Sequence, residues 1–161
     1  MFSVEINGAS DVADGMKYLS TTIRNRIAVE ALVVAMTPVL NSARRYAGKT
    51  RDTGALQESI GFRVRPYPRL GKVICVIGPR RGFKRKDPSG KGYRDPAKYG
   101  HLIEFGHAKR GGAGTVAAVP FMRPAFAENS QRVIAELAAA LGQRIEVAVA
   151  RKKRRAKKKG T

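Results

Sequence analysis

The sequence has no tryptophan, one cysteine, two histidines and only 12 carboxylates among 161 residues. Each shortage removes a class of explanation. The lone thiol, Cys75, excludes an intramolecular disulfide, and its place in the apolar run VICVIG marks it as a buried, inert side chain. No apolar run approaches the ~20 residues that a bilayer crossing requires. The opening MFSVEINGASD also lacks the basic and then apolar blocks of a secretion signal. A soluble, reducing compartment is expected, with no membrane partner. Twelve scattered carboxylates offer no pair of acid and base, and neither histidine has a nucleophile beside it in the sequence. The chain is therefore not expected to be an enzyme, and no cofactor is expected.

What the chain has in excess is positive charge: 32 lysines and arginines give a net charge of +20. Such a charge calls for a polyanion or a strongly acidic protein surface as neighbour. An apolar fraction of 43% is that of a globular chain, and the length suits one domain. The expected layout is a single α+β domain over residues 1–150, followed by a disordered basic tail over 151–161.

The pattern along the chain supports that class. FSVEIN alternates as a short strand does and is closed by Asn7-Gly8. From Thr21 to Tyr46 apolar residues recur at helical spacing, with Pro38 expected to kink or split the helix and Gly48 to end it. Ile60, Phe62 and Val64 alternate as a strand that Pro66 and Pro68 should stop. KVICVIG is a second strand, paired with the first as an antiparallel hairpin across YPRLG, and both are expected in the core. Residues 79–98 form a cationic, exposed loop, and AKRGGAGTVA reads as flexible. Beyond Pro124 the residues Ile134, Leu137, Leu141, Ile145 and Val149 mark a second long helix that tolerates Gly142. The small, mainly antiparallel sheet is thus expected to be packed by one long helix from the N-terminal half and one at the C-terminal end.

Three stretches invite a chemical reading. His101, Glu104 and His107 have the spacing His-x-x-Glu-x-x-His, which on a helix spreads them over about 120°. Gly106 ends any such helix before the third ligand, and zinc hydrolases space their histidines differently, so no metal site is expected. AGKT at 47–50 has Ala43 where a phosphate loop needs glycine, and GGAG at 111–114 reads as a hinge or loop.

Four segments, in order, carry a resemblance: DTGALQESI at 52–60, VIG at 76–78, YGHLIEFGH at 99–107 and PFMRPAF at 120–126. Together they resemble the neck or tail-completion protein family of long-tailed bacteriophages. The matching positions are Thr53, Gly54, Leu56, Ser59, Ile60, Gly78, Tyr99, Glu104, Phe105, Gly106, Pro120, Phe121, Pro124 and Ala125. His107 stands where that family usually has Thr or Ser. The resemblance implies a structural virion protein that completes the tail or joins it to the DNA-filled head. It would act as a homo-oligomeric ring, a hexamer for preference, around the DNA channel, assembled in the host cytoplasm. The implied neighbours are head-closure and tail-terminator or tail-tube proteins, with phage DNA held non-specifically. The Glu-Phe-Gly triplet either turns the chain within one subunit or supplies a contact to the next, with Phe105 as apolar anchor and Glu104 paired to a foreign Arg or Lys.

Candidates for DNA contact are Arg80, Arg81, Lys84, Arg85 and Lys86 in the loop, and Arg151, Lys152, Lys153, Arg154, Arg155, Lys157, Lys158 and Lys159 in the tail. Dense charge without apolar anchors suits phosphates and gives no means of reading bases. A basic module that grips RNA or DNA non-specifically is the alternative, with Phe83 and Tyr93 as stacking candidates.

Overall fold

The computed structural model describes residues 19–50, 54–83, 95–112 and 114–159, and for 153 and 156–159 the backbone alone. The strand expected in FSVEIN, together with Thr53, Lys84, Arg85, Lys86 and Tyr93, lies outside the described residues. The elements are α1 (Thr21–Ala47), α2 (Ala55–Ser59), β1 (Ile60–Tyr67), a 3-10 turn (Pro68–Leu70), β2 (Lys72–Pro79), α3 (Pro96–Phe105), β3 (His107–Ala108), β4 (Thr115–Val116) and α4 (Met122–Lys159). The fold is α+β, with β1 and β2 in one two-stranded sheet and β3 and β4 in another.

The chain divides into two compact units. One comprises Met1–Met36, Val64–Cys75 and Gln131–Thr161, and the other Thr37–Arg63 and Val76–Ser130. In the first, Leu19, Ile27 and Ile145 are buried together, flanked by Leu141, Ala148 and Val149. In the second, Leu40, Ala43 and Ala47 of α1 meet Leu56, Ile60, Phe121 and Ala125, with Phe62, Ile77, Tyr99 and Ile103 against them. This second cluster is helix packed on sheet: α1 and α4 contribute small residues, so the large Phe121 ring can lie between them.

Several sequence expectations change here. α1 runs through Pro38 as one helix, and the boundary between units falls beside it, at Met36 and Thr37. The same helix is long and apolar enough, by length and composition alone, to cross a bilayer, contrary to the expectation that no run approaches that size. Its small residues Ala31, Ala35 and Ala43 are instead buried within the protein. β1 continues past Pro66 to Tyr67. A two-stranded sheet has only edge strands, and an edge strand tolerates proline wherever the nitrogen faces away from the partner strand. β2 is half in the open rather than wholly core, since Val76 is 62% exposed and Ile74 is exposed beside it in the alternation. Cys75, on the other face, is half-buried, and desolvation raises its thiol pKa, which keeps it protonated.

AKRGGAGTVA is not merely flexible: it folds back on itself, pairing His107 with Val116 and Ala108 with Thr115. The C-terminal helix also extends where a disordered tail is expected, since α4 reaches Lys159. Lysine, arginine and alanine are good helix formers, and cations at a helix C-terminus oppose its negative dipole end, so residues 151–159 continue the helix.

Candidate functional site

The segments YGHLIEFGH at 99–107 and PFMRPAF at 120–126 meet in the second unit. α3 starts with Asp95 as N-cap, its carboxylate accepting the Ala97 N–H at 3.0 Å, and Pro96 in the first turn, where its missing N–H is harmless. Ten residues later the helix ends at Phe105, and Gly106 turns the chain with φ +73°. Any Cβ at 106 would lie 2.7 Å from the Val116 carbonyl oxygen, so both the backbone angle and the close approach of the returning strand call for glycine. The return is fixed by a Val119 N–H donated to the Ile103 carbonyl at 2.8 Å, which delivers Pro120 and Phe121 beside the last turn of α3.

There Glu104 closes the start of α4. Its Oε2 accepts the Phe121 N–H at 2.7 Å and the Met122 N–H at 2.9 Å, and its Oε1 accepts the Arg123 N–H at 3.1 Å. A helix begins with a set of N–H groups that no intrahelical carbonyl can reach. Here three of them go to one carboxylate, and the next residue, Pro124, has no N–H to satisfy. Two motif fragments that look independent in the sequence are therefore one device. The Arg123 guanidinium completes it, with Nε 3.3 Å from Oε1 and Nη2 donating to the Glu104 carbonyl.

Glu104 is only 5% exposed. Burial pushes its pKa up, but the N–H groups of Met122, Phe121 and Arg123 and the Arg123 side chain outweigh that and hold it below the ordinary value. The positive end of the α4 dipole favours the same charged state. The Glu104 carboxylate is thus engaged within its own chain, in keeping with the first of the two readings of the Glu-Phe-Gly triplet, a turn within one subunit. This also takes Glu104 out of any metal set: His101 and His107 are exposed, and no cluster of three metal-capable side chains occurs among the described residues.

The remaining motif positions divide by burial. Leu56, Ser59, Ile60, Phe121 and Ala125 are buried, and Tyr99 packs on the same cluster. Gly54 enters α2 with φ +74°, the left-handed angle that turns the chain into that short helix. Pro120 is exposed and Pro124 half-buried. Phe105 differs from all of these. It is 68% exposed, its ring covered on one side by the Arg123 guanidinium at 5.1 Å, and it stands between a capped helix and a glycine that cannot be replaced without strain. Phe126, one turn beyond Arg123 on α4, is exposed as well.

Of the DNA-contact candidates, Arg80 is engaged by its own chain. It donates to the Ser59 and Glu58 carbonyls and lies 5.4 Å over the Phe83 ring, so one face of that ring is already covered. Arg81 is exposed, and so are Arg151, Lys152, Arg154 and Arg155 on α4.

The family described as "Bacteriophage HK97-gp10, putative tail-component" matches residues 10–106, more than half of the chain. The chain belongs to the HK97 gp10-like family. Membership makes it a structural component of the phage tail and so a virion protein, in agreement with the resemblance carried by its motifs. No curated protein and no solved structure matched the chain. The family match ends at Gly106, so it includes the acid that caps α4 but not the helix start that the acid serves.

No sequence signal marked Glu104 as a cap, because the donors lie 17 to 19 residues away. The burial of Asn129, which donates to Ser42 Oγ at 2.9 Å, and the ion pair of Arg45 with Glu128 at 2.7 Å were likewise invisible.

Proposed function

We propose that this tail protein is a ring subunit at the head-proximal end of the tail, closing around the DNA channel as a hexamer, with Phe105 as the apolar anchor of the contact between subunits. The observation that carries this reading is the exposure of Phe105 on a rigid corner. An aromatic ring presented to solvent on a fixed backbone is the usual form of an interface hot spot, since little order is lost when a partner covers it. A ring needs two different surfaces meeting head to tail, and a lone projecting anchor is half of such a pair. Neighbours along the tail axis would be head-closure and tail-terminator or tail-tube proteins.

Phe105→Ala tests the ring. The subunit is expected to keep its circular dichroism and melting temperature, because the side chain is outside the core. Each contact should weaken by about 2 kcal/mol, roughly 30-fold in dissociation constant. Sedimentation should then show monomers where the unaltered protein assembles, and infected cells should accumulate filled heads and finished tails unjoined. Rings of unaltered mass and normal joining in the variant would place the interface elsewhere.

The exposed cations of α4 support a non-specific contact with the DNA in the channel. Exchanging Arg151, Lys152, Arg154 and Arg155 for glutamine should flatten the slope of log affinity for duplex DNA against log salt by about 3.6, if each side chain meets one phosphate. An unchanged slope would remove α4 from the DNA contact.

A further inference from the structure

β1 and β2 are both edge strands, and their sequences treat the exposed edge differently. β1 carries the usual protections, since Arg63 and Arg65 are exposed along it and Pro66 has no N–H to offer. β2 carries almost none. Residues 73–79 hold no charge, proline enters only at the last of them, and Val73, Ile74, Val76 and Ile77 are β-branched residues that suit a strand. Apart from its ladder with β1, no backbone hydrogen bond reaches β2 among the described residues. A Cβ placed on Gly78 would meet nothing within 4 Å. Such an edge offers a row of N–H and C=O groups to an arriving extended chain.

The side chains beside that edge define what fits it. Phe62 and Ile77 pack on the same buried cluster and so mark the inner face of the sheet. By alternation Val73 and Cys75 share that face, half-buried, while Lys72, Ile74 and Val76 stand on the outer face with Arg63 and Arg65. Residues 60–79 contain no acid, and Arg63, Arg65 and Lys72 have no ion pair among the described residues. A strand added at β2 lies one strand spacing from Lys72 and two, about 9.6 Å, from the β1 arginines, within the screening length at ~0.1 M salt. Carboxylates on its outer row meet that field, and their methylene stems cover Ile74 and Val76. Aliphatic side chains on its inner row meet Val73 and Cys75. A second copy answers poorly, since its β2 brings no acid and its β1 sets Arg63 and Arg65 against like charges. Phosphates would satisfy the cations but leave the backbone row and the aliphatic side chains uncovered.

We propose that β2 receives an extended segment of a neighbouring virion protein as a third strand, one in which aliphatic and acidic side chains alternate. The contact uses neither Phe105 nor the cations of α4, so it stands apart from the ring and from the DNA contact.

Hydrogen exchange of the full chain tests this, with a capped peptide of alternating valine and glutamate matched to the eight residues of β2. Exchange within residues 72–79 should slow about tenfold when the peptide is added. A twin peptide with every backbone amide N-methylated cannot complete the ladder and should slow nothing, and a twin with lysine for glutamate should bind about tenfold more weakly. Arg63→Gln with Arg65→Gln should weaken the glutamate peptide about fivefold and leave the circular dichroism unchanged, because both side chains are exposed. Unchanged exchange in β2 with the glutamate peptide would overturn the proposal, and so would equal slowing by the methylated or the lysine twin. Protection of β2 that appears without peptide and rises with protein concentration would overturn it in favour of a second copy. Protection by a short DNA duplex and not by the peptide would overturn it in favour of nucleic acid.

Discussion

Glu104→Gln is expected to destabilise the second unit by about 3 kcal/mol, although the two side chains have nearly the same shape. The glutamine oxygen can accept from one or two of the three N–H groups, but its amide NH₂ then faces donors where the carboxylate offered a second oxygen. At least one buried N–H is left unmatched, and the charge that complements the α4 dipole is lost. The Arg123 side chain contributes little to this loss, because it is largely exposed and its ion pair is screened. Urea unfolding followed by circular dichroism measures the change. A loss below about 0.5 kcal/mol would mean that water replaces the carboxylate without penalty, and the account of the α4 cap would be wrong.

The same group sets an acid limit. The folded pKa of Glu104 is depressed, so its contribution is fully present above the unfolded value and is lost as pH falls through the folded one. The unaltered protein should lose stability as pH falls below the ordinary glutamate range, and Glu104→Gln should lose less over the same interval. Parallel pH profiles for the two proteins would contradict the assignment.

Phe121→Ala should cost about 4 kcal/mol and leave much of the second unit unfolded at 37 °C. Phe121 is 1% exposed and the largest fully buried side chain among the described residues. It is surrounded by Leu56, Ile60, Ala43 and Ala125, whose small or branched side chains cannot extend into the space that it would vacate. Phe121→Leu keeps most of the volume and should cost under half as much. Equal losses for the two would show that the ring matters for its shape or stacking and not for the space it fills. The contrast with Phe105→Ala is informative, since two phenylalanines of adjoining motif fragments should affect stability and assembly separately.

The sequence pattern was a good guide where one residue type answers one local demand. Alternation at Ile60, Phe62 and Val64 located β1, the recurrence from Thr21 located α1, and Gly106 was legible as the end of α3. It failed where the deciding partner is remote or the effect is collective. Pro66 reads as a strand breaker until the sheet is known to have two strands, both of them edges. The tail reads as disordered because like charges repel, yet its residues are helix formers attached to a helix already nucleated, and extension costs far less than initiation. Glu104 leaves a turn within one subunit and a contact to a foreign cation both open in the sequence, because nothing local to it announces three backbone donors.

The junction at Glu104 also governs how this sequence can diverge. Residue 104 and residues 121–124 form a single heritable unit whose halves stand 17 positions apart, and neither half can drift alone without penalty. A descendant that loses the acid needs a substitute at the head of α4, such as serine or aspartate at 121, and must then refill the core that Phe121 leaves. Insertions between the halves, in the glycine-rich turn of β3 and β4, are by contrast free to accumulate as long as the return past Ile103 is kept. Length variation in that turn, beside invariance at its two ends, is the pattern that lineages of this protein should display.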